Sequence, residues 1–336
     1  MNFIEPAGIR EQLFPFTLTR PIQDIRIGIL TIREKWERFA PHCKARIPAN
    51  LIPSLHHFTT AAETVEVSGE DLLLERPWNI FQHNAEAIIR DFHLITKGRS
   101  SMPIPVSNRV IGDGEIFIEP GASVECSILN TTSGPIYIGR NAEVMEGCLI
   151  RGPFALCEGA VLKMGTKVYG GTTLGPHSVG GGEIKNSVLF GYSNKGHDGY
   201  LGDSVIGEWC NLGAGVSNSN LKNNAGNVMV YDMHAGEYIS AGQKCGLLMG
   251  DYTRAAINTS FNTGTVVGVA ANVFGPGLTP RCIQSFSWGF AGEKRYEFDK
   301  AVQHIANWKK LKKQILTEDE ISILRHIFDN HKQSIA

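Results

Sequence analysis

The 336-residue sequence predicts a mainly β fold: a left-handed parallel β-helix of hexapeptide repeats, with a small α/β region before it and a helical extension after it. The first observation is a period. From Ile138 an aliphatic residue recurs every six positions, at Val144, Ile150, Leu156, Leu162, Val168 and Leu174; Ile118 and Val124 start the same phase, and Tyr200, Ile206 and Leu212 resume it. The second is the small residue four places on, at Ala122, Ala142 and Ala160. The third is glycine: of 37 in the chain, only four lie in the first hundred residues and the rest fall between Gly112 and Gly292.

A period of six matches neither the 3.6 of an α-helix nor the alternation of a single strand. It matches short strands joined by tight corners. Three such strands close a triangular coil of about 18 residues with the aliphatic residue inside, and glycines supply left-handed corners. Coils stack about 4.8 Å apart, so residues one coil apart share a face.

The elements follow in order. Asp24 to Phe39 reads as a strand passing into a helix, and Phe81 to Ile95 as a helix. Met102-Pro103-Ile104-Pro105 reads as a linker, placing units at 1–104, 105–292 and 293–336. Within the repeat the phase slips between Leu174 and Val188 and again from Asn218 to Asn224, predicting two irregular loops where polar residues gather. In the tail, Phe298, Val302, Ile305, Leu311 and Ile315 mark one helix, and Thr317-Glu318-Asp319-Glu320 is a capping box opening a second through Leu324 and Phe328. These helices are expected to cover the open end of the β-helix, whose last coil otherwise exposes strand edges. The run Lys309, Lys310, Lys312 and Lys313 reads as a solvated helix face.

Composition narrows the function classes. With 32 basic and 33 acidic residues there is no global field to recruit nucleic acid or an anionic membrane. No stretch approaches the ~20 apolar residues that span a bilayer, and MNFIEPAGIREQ lacks the apolar core of a signal peptide. Seven cysteines without a C-x-x-C pair point to free thiols in a reducing cytoplasm. His177, His197 and His234 are scattered, so no metal site is expected.

The segment GGEIKNSVLFGYSNKGHDGYLGDSVIGEWCNLGAG resembles the acetyltransferase half of the bifunctional bacterial enzymes that acetylate glucosamine-1-phosphate and uridylate the product. The likeness rests on Glu183, Lys185, His197, Tyr200, Gly202-Asp203, Asn211 and Gly213-Ala214-Gly215, at the family's spacings. It covers about 35 residues, and the repeat extends a looser likeness over 105–290. Upstream, Arg10-Glu11-Gln12-Leu13-Phe14-Pro15-Phe16-Thr17-Leu18-Thr19-Arg20-Pro21 resembles the stretch after the glycine-rich loop of sugar nucleotidyltransferases. The Gly-x-Gly turn that lets backbone approach phosphate is missing, as is a lysine after Pro21. The first region thus resembles a shortened nucleotidyltransferase domain, which would need Mg²⁺ only if that activity survives.

The resemblance implies acyl transfer, acetyl-CoA being the donor, to an amino-sugar phosphate or nucleotide amino sugar, within a homotrimer. Such a reaction needs a base for the ammonium proton, cations for the phosphate and donors for the oxyanion. His197 is the expected base, because its ordinary pKa is near neutral, with Glu183 orienting its ring. Lys185 is expected to hold the phosphate, helped by Lys167 18 residues earlier, which an unbroken coil stacks on it. Tyr200 and Asn211 are expected to contact the sugar, and Ala214 and Asn220 to line the thioester pocket. Two other classes stay open: a sugar-1-phosphate nucleotidyltransferase or its inactive remnant, and a non-catalytic trimeric scaffold.

Overall fold

The computed structural model describes residues 1–54, 57 and 64–330. Its body is a left-handed parallel β-helix, a triangular prism with three stacked faces. Face I runs through Arg109–Ile111, Ile128–Asn130, Leu149–Arg151, Lys167–Val168, Glu183–Lys185 and Tyr200–Gly202. Nine strands from Ile116–Ile118 to Cys282–Ile283 form face II. Face III has ten, from Ser123–Val124 to Lys294–Arg295, of which the last is antiparallel.

The hexad pattern becomes the core because each short strand turns one side chain inward. Ile118, Val124, Ile138, Val144, Ile150, Leu156, Leu162, Val168 and Leu174 are all buried together. The expectation fails at Tyr200. Its neighbour Leu201 points inward instead, since Ile184 pairs with Leu201 and Glu183 with Tyr200. The first phase slip is also not a loop. Residues 175–199 stay in the coil with shortened corners: Thr173 pairs with Val188, and Val179 with Asn194. Only the second slip leaves the prism, through an antiparallel hairpin of Met229–Asp232 and Glu237–Ser240.

The N-terminal region has no separate core. Leu13, Phe16, Trp36 and Ile47 share one buried cluster with Val188, Phe190, Val205, Leu248 and Val266, the outward side chains of face II. The expected strand-to-helix passage is two antiparallel strands, Arg26–Ile27 and Leu30–Thr31, and the helix Ile32–Phe39, which Thr31 and Glu34 cap reciprocally. The turn between the strands needs Gly28, at φ 67°, because a Cβ there would meet the Ala87 carbonyl at 2.8 Å. The helix Asn84–Thr96 then lies against face II, with Ile88 and Phe92 on Phe117, Tyr137 and Ala155. The expected linker is part of the prism: Met102 N–H donates to Ile118 O (2.9 Å), and Ile104 packs on the prism core.

The C-terminal helices Phe298–Leu311 and Glu318–Asn330 do not cap the open end. They lie along the corner between faces II and III, where left-handed residues line up as His177, Tyr192, Trp209, Tyr252, Ala270 and Phe286. The rings of His177, Tyr192 and Trp209 form a ladder, Tyr192 stacking on Trp209 with centroids 4.2 Å apart, and Phe298, Ile305, Leu324 and Ile327 bury in the same cluster as Trp209, Tyr252 and Phe286. An apolar corner is a stronger attraction for an amphipathic helix than a prism end. Leu311 and Ile315 are correspondingly exposed. The lysine run is a solvated face only at Lys310 and Lys313. Lys309 is buried, pairs with Glu320 and lies over Trp209, while Lys312 donates to His177 O (2.8 Å) and Asn194 Oδ1 (3.2 Å). The capping box is present: Thr317 N–H donates to Glu320 Oε2 (2.8 Å), and Glu320 N–H to Thr317 Oγ1 (3.2 Å).

Candidate functional site

The residues expected to act divide between face I, face III and the corner that joins them. On face I, Lys167, Glu183 and Tyr200 occupy successive rungs of one outward column. Lys185 pairs with Gly202, in the neighbouring outward column. The shortened coil therefore undoes the expected stacking of Lys185 on Lys167. Sixteen residues, not eighteen, separate rung partners Lys167 and Glu183, so Lys167 faces a carboxylate and Lys185 lies above Tyr169. Opposite charges on adjacent rungs attract weakly, whereas the two ammonium groups would have repelled.

Tyr200 anchors a side-chain hydrogen-bond network. Its hydroxyl accepts from Asn220 Nδ2 (3.1 Å), and the same amide donates to Asp203, whose other oxygen accepts from Asn186 Nδ2 (2.7 Å). The ring folds over Gly202, where any Cβ would collide with the phenol oxygen at 2.2 Å. Burial and the carboxylates of Asp203 and Glu183 push the Tyr200 phenol up to about 12, so it stays protonated. Asn220 thus belongs with Tyr200 rather than with Ala214. Asp203 stood in the motif but was given no role, and Asn186 was passed over; the structure puts both at left-handed corners, one rung apart.

His197 is exposed in the corner leading from face III to face I. Its corner lies below the one bearing Ala214, as Gly215 N–H donates to Asp198 O (3.0 Å). Among the described residues no hydrogen bond joins the Glu183 carboxylate to the His197 ring. What holds this corner is a residue the sequence reading passed over. Lys195 occupies an inward position of face III, next to Gly180. Its ammonium, inside the prism, donates to His197 O (2.6 Å) and Gly181 O (3.3 Å). Burial lowers Lys195 to about 8, with Asp198 opposing. Asn211 lies on face III, between rung partners Asn194 and Arg254. One prism therefore does not turn Asn211 and Tyr200 toward the same side. Ala214 is exposed, and Ile257, in the next corner up, is 69% exposed, so an apolar strip follows the corner past His197.

Residues 3–49 and 42–100 match a family model described as sugar nucleotidyl transferase. The bifunctional protein GlmU of Methanocaldococcus jannaschii is 28% identical over 210 residues, 62% of this chain and 45% of its own. The chain resembles GlmU. The GlmU of Thermus thermophilus is 31% identical over 137 residues, 33% of this chain and 30% of its own. A bifunctional sugar-1-phosphate nucleotidylyltransferase/acetyltransferase of Sulfurisphaera tokodaii is 37% identical over 93 residues, 27% of this chain and 23% of its own. The chain spans less than half the length of these GlmU-like relatives. The polysialic-acid-specific acetyltransferase NeuO overlaps 54% of this chain and 82% of its own at 16% identity, with a TM-score of 0.28.

Proposed function

We propose that the protein transfers an acyl group, acetyl by preference, from a coenzyme A thioester to the amine of an amino-sugar phosphate or nucleotide amino sugar. The observation that carries this reading is the corner. An exposed histidine, whose backbone carbonyl Lys195 holds from inside, lies in the corner that leads into the strand of a protonated tyrosine and below an exposed alanine and isoleucine. The thioester supplies the activated acyl carbon, and the apolar strip at Ala214 and Ile257 suits its pantetheine arm. His197 takes the proton from the attacking amine as nitrogen bonds to the thioester carbon; the carbon–sulfur bond then breaks, and the departing sulfur takes that proton from the imidazolium to leave as the thiol. Glu183 orients the imidazole once substrate draws it in. Lys185 and Lys167 hold the acceptor phosphate, Tyr200 donates to the sugar, and Asn220 keeps that phenol in place. Asn211 faces away from Tyr200 within one prism, so a pocket using both draws on two copies, which supports a homotrimer with sites between prisms.

The N-terminal region supports no second activity in this reading. Arg20, in the stretch that resembles a nucleotidyltransferase, is consumed by docking: it pairs with Asp251 and with Glu208 (3.2 Å), and Thr19 donates to Asp251 (2.6 Å). The test is thiol release from acetyl-CoA with a panel of amino-sugar phosphates and nucleotide amino sugars. At least one acceptor should release thiol. Failure of every acceptor, with no thioester binding at millimolar concentration, would sink the reading in favour of a scaffold.

A further inference from the structure

Below the corner site, face I carries a recess of about 250 Å³ lined by Asn130, Leu149, Arg151, Lys167 and Tyr169. Neither the N-terminal region nor the C-terminal helices makes a described hydrogen bond or ion pair with these side chains. Arg151, Tyr169 and Lys185 follow one another up one outward column, because Lys167 pairs with Leu149 below and Glu183 above. Lys167 stands beside Tyr169 in the neighbouring column. Among the described residues, the side chains of Arg151, Lys167 and Lys185 make no hydrogen bond or ion pair.

Two cations, Arg151 and Lys167, and one exposed ring therefore line the concavity, and Lys185 stands one rung above Tyr169 at its upper edge. Tyr169, 42% exposed, lies between Arg151 and Lys185. Glu183 is the one carboxylate on the same rungs, so three positive charges less one negative leave a balance of two. Two rungs, about 9.6 Å, separate the backbones of Arg151 and Lys185. Side chains as long as these can close that span onto one phosphate or two, but an exposed aromatic ring adds nothing to the binding of a bare phosphate. A diphosphate joined to a flat ring matches the charge and the aromatic platform. The volume lies just under the range of about 300–1,000 Å³ typical of ligand sites, enough for a diphosphate and one ring but not for a whole coenzyme.

We infer that face I binds the nucleoside diphosphate of a nucleotide-linked acceptor: the phosphates lie between Lys185, Lys167 and Arg151, and the base stacks on Tyr169. The inference rests on the acyl-transfer reading and selects, between its two acceptor classes, the nucleotide amino sugar. The acceptor's sugar then lies above, at Tyr200 and the His197 corner.

The test is calorimetric binding of uridine diphosphate and of inorganic phosphate to the full chain at low ionic strength, with no acyl donor present. Uridine diphosphate should bind at least tenfold tighter than phosphate. Arg151→Ala should weaken uridine diphosphate about tenfold. Tyr169→Ala should weaken it at least fivefold while leaving phosphate unchanged. Both side chains are exposed, so both variants should keep the wild-type circular dichroism spectrum. Lys44→Ala, on the N-terminal region, should change nothing. The inference falls if uridine diphosphate binds no tighter than phosphate, if either face I variant binds it like wild type, or if Lys44→Ala weakens it equally. Binding as described without thiol release from acetyl-CoA would leave the nucleotide site standing and remove the acyl-transfer reading alone.

Discussion

Lys195 places a charge inside a prism otherwise filled by aliphatic side chains, and its titration is readable. Its pKa falls from an ordinary 10.5 to about 8 because burial disfavours the ammonium. Between about pH 8 and 10.5 the unfolded chain keeps this proton while the folded chain has released it. The unfolded state then binds more protons, so stability rises with pH across that window, by at most about 3 kcal/mol. Urea unfolding of the wild type and Lys195→Met from pH 7 to 10 checks the sign: the wild type should gain stability relative to the variant. A flat difference would mean that the ammonium is solvated. The sequence showed the residue types of the site, since Glu183, His197, Tyr200 and Asn211 stand at recognisable spacings. It did not show that Lys195 turns inward, because one inward lysine leaves no mark in a pattern defined by its aliphatic majority.

Among the elements, the C-terminal helices were legible as helices and illegible in position. Spacing and the Thr317–Glu320 capping box fixed their existence. Their docking depends on aromatic side chains, Tyr192, Trp209, Tyr252 and Phe286, that come from corners of successive coils and are neighbours only after folding. Thr317→Ala should cost about 1 kcal/mol, the usual worth of an N-cap, measured by chemical unfolding. Trp209→Ala should cost about 3–5 kcal/mol and speed hydrogen exchange in both helices, because Lys309 and the helix core lose the surface they lie on. Equal exchange in wild type and variant would show that the helices are held elsewhere. Coil lengths were misread for a related reason. A missing two or three residues looks like a loop in a periodic sequence, whereas the prism absorbs it by tightening its corners around Asn186 and Tyr192.

At the scale of the whole molecule, the N-terminal region is a sleeve over face II rather than an independent unit. The buried Arg20–Asp251 pair and the shared core of Phe16, Trp36, Phe190 and Val205 tie it to the prism. Asp251→Ala should cost about 3 kcal/mol, since it leaves the buried guanidinium only the more exposed Glu208, and prism and sleeve should melt together. Two separated calorimetric transitions would contradict the shared core. Sequence composition marked a change of texture near residue 105, but glycine content reports the repeat and not what packs on it. With face II covered and the C-terminal helices reaching from the corner onto face III at Asn194 and Arg254, face I and the rest of face III are left for packing between prisms, and light scattering at micromolar concentration should report a trimer; a stable monomer there would remove the basis for a shared site.

The central claim is that His197 removes the proton in acyl transfer, and steady-state kinetics of thiol release on the best acceptor tests it most directly. His197→Ala should lower turnover by about 10²–10⁴-fold and leave thioester affinity nearly unchanged. Lys185→Ala should instead raise the acceptor KM, as a phosphate contact made equally in ground and transition states is uniform binding. Full turnover by His197→Ala on an acceptor the wild type uses would contradict the account.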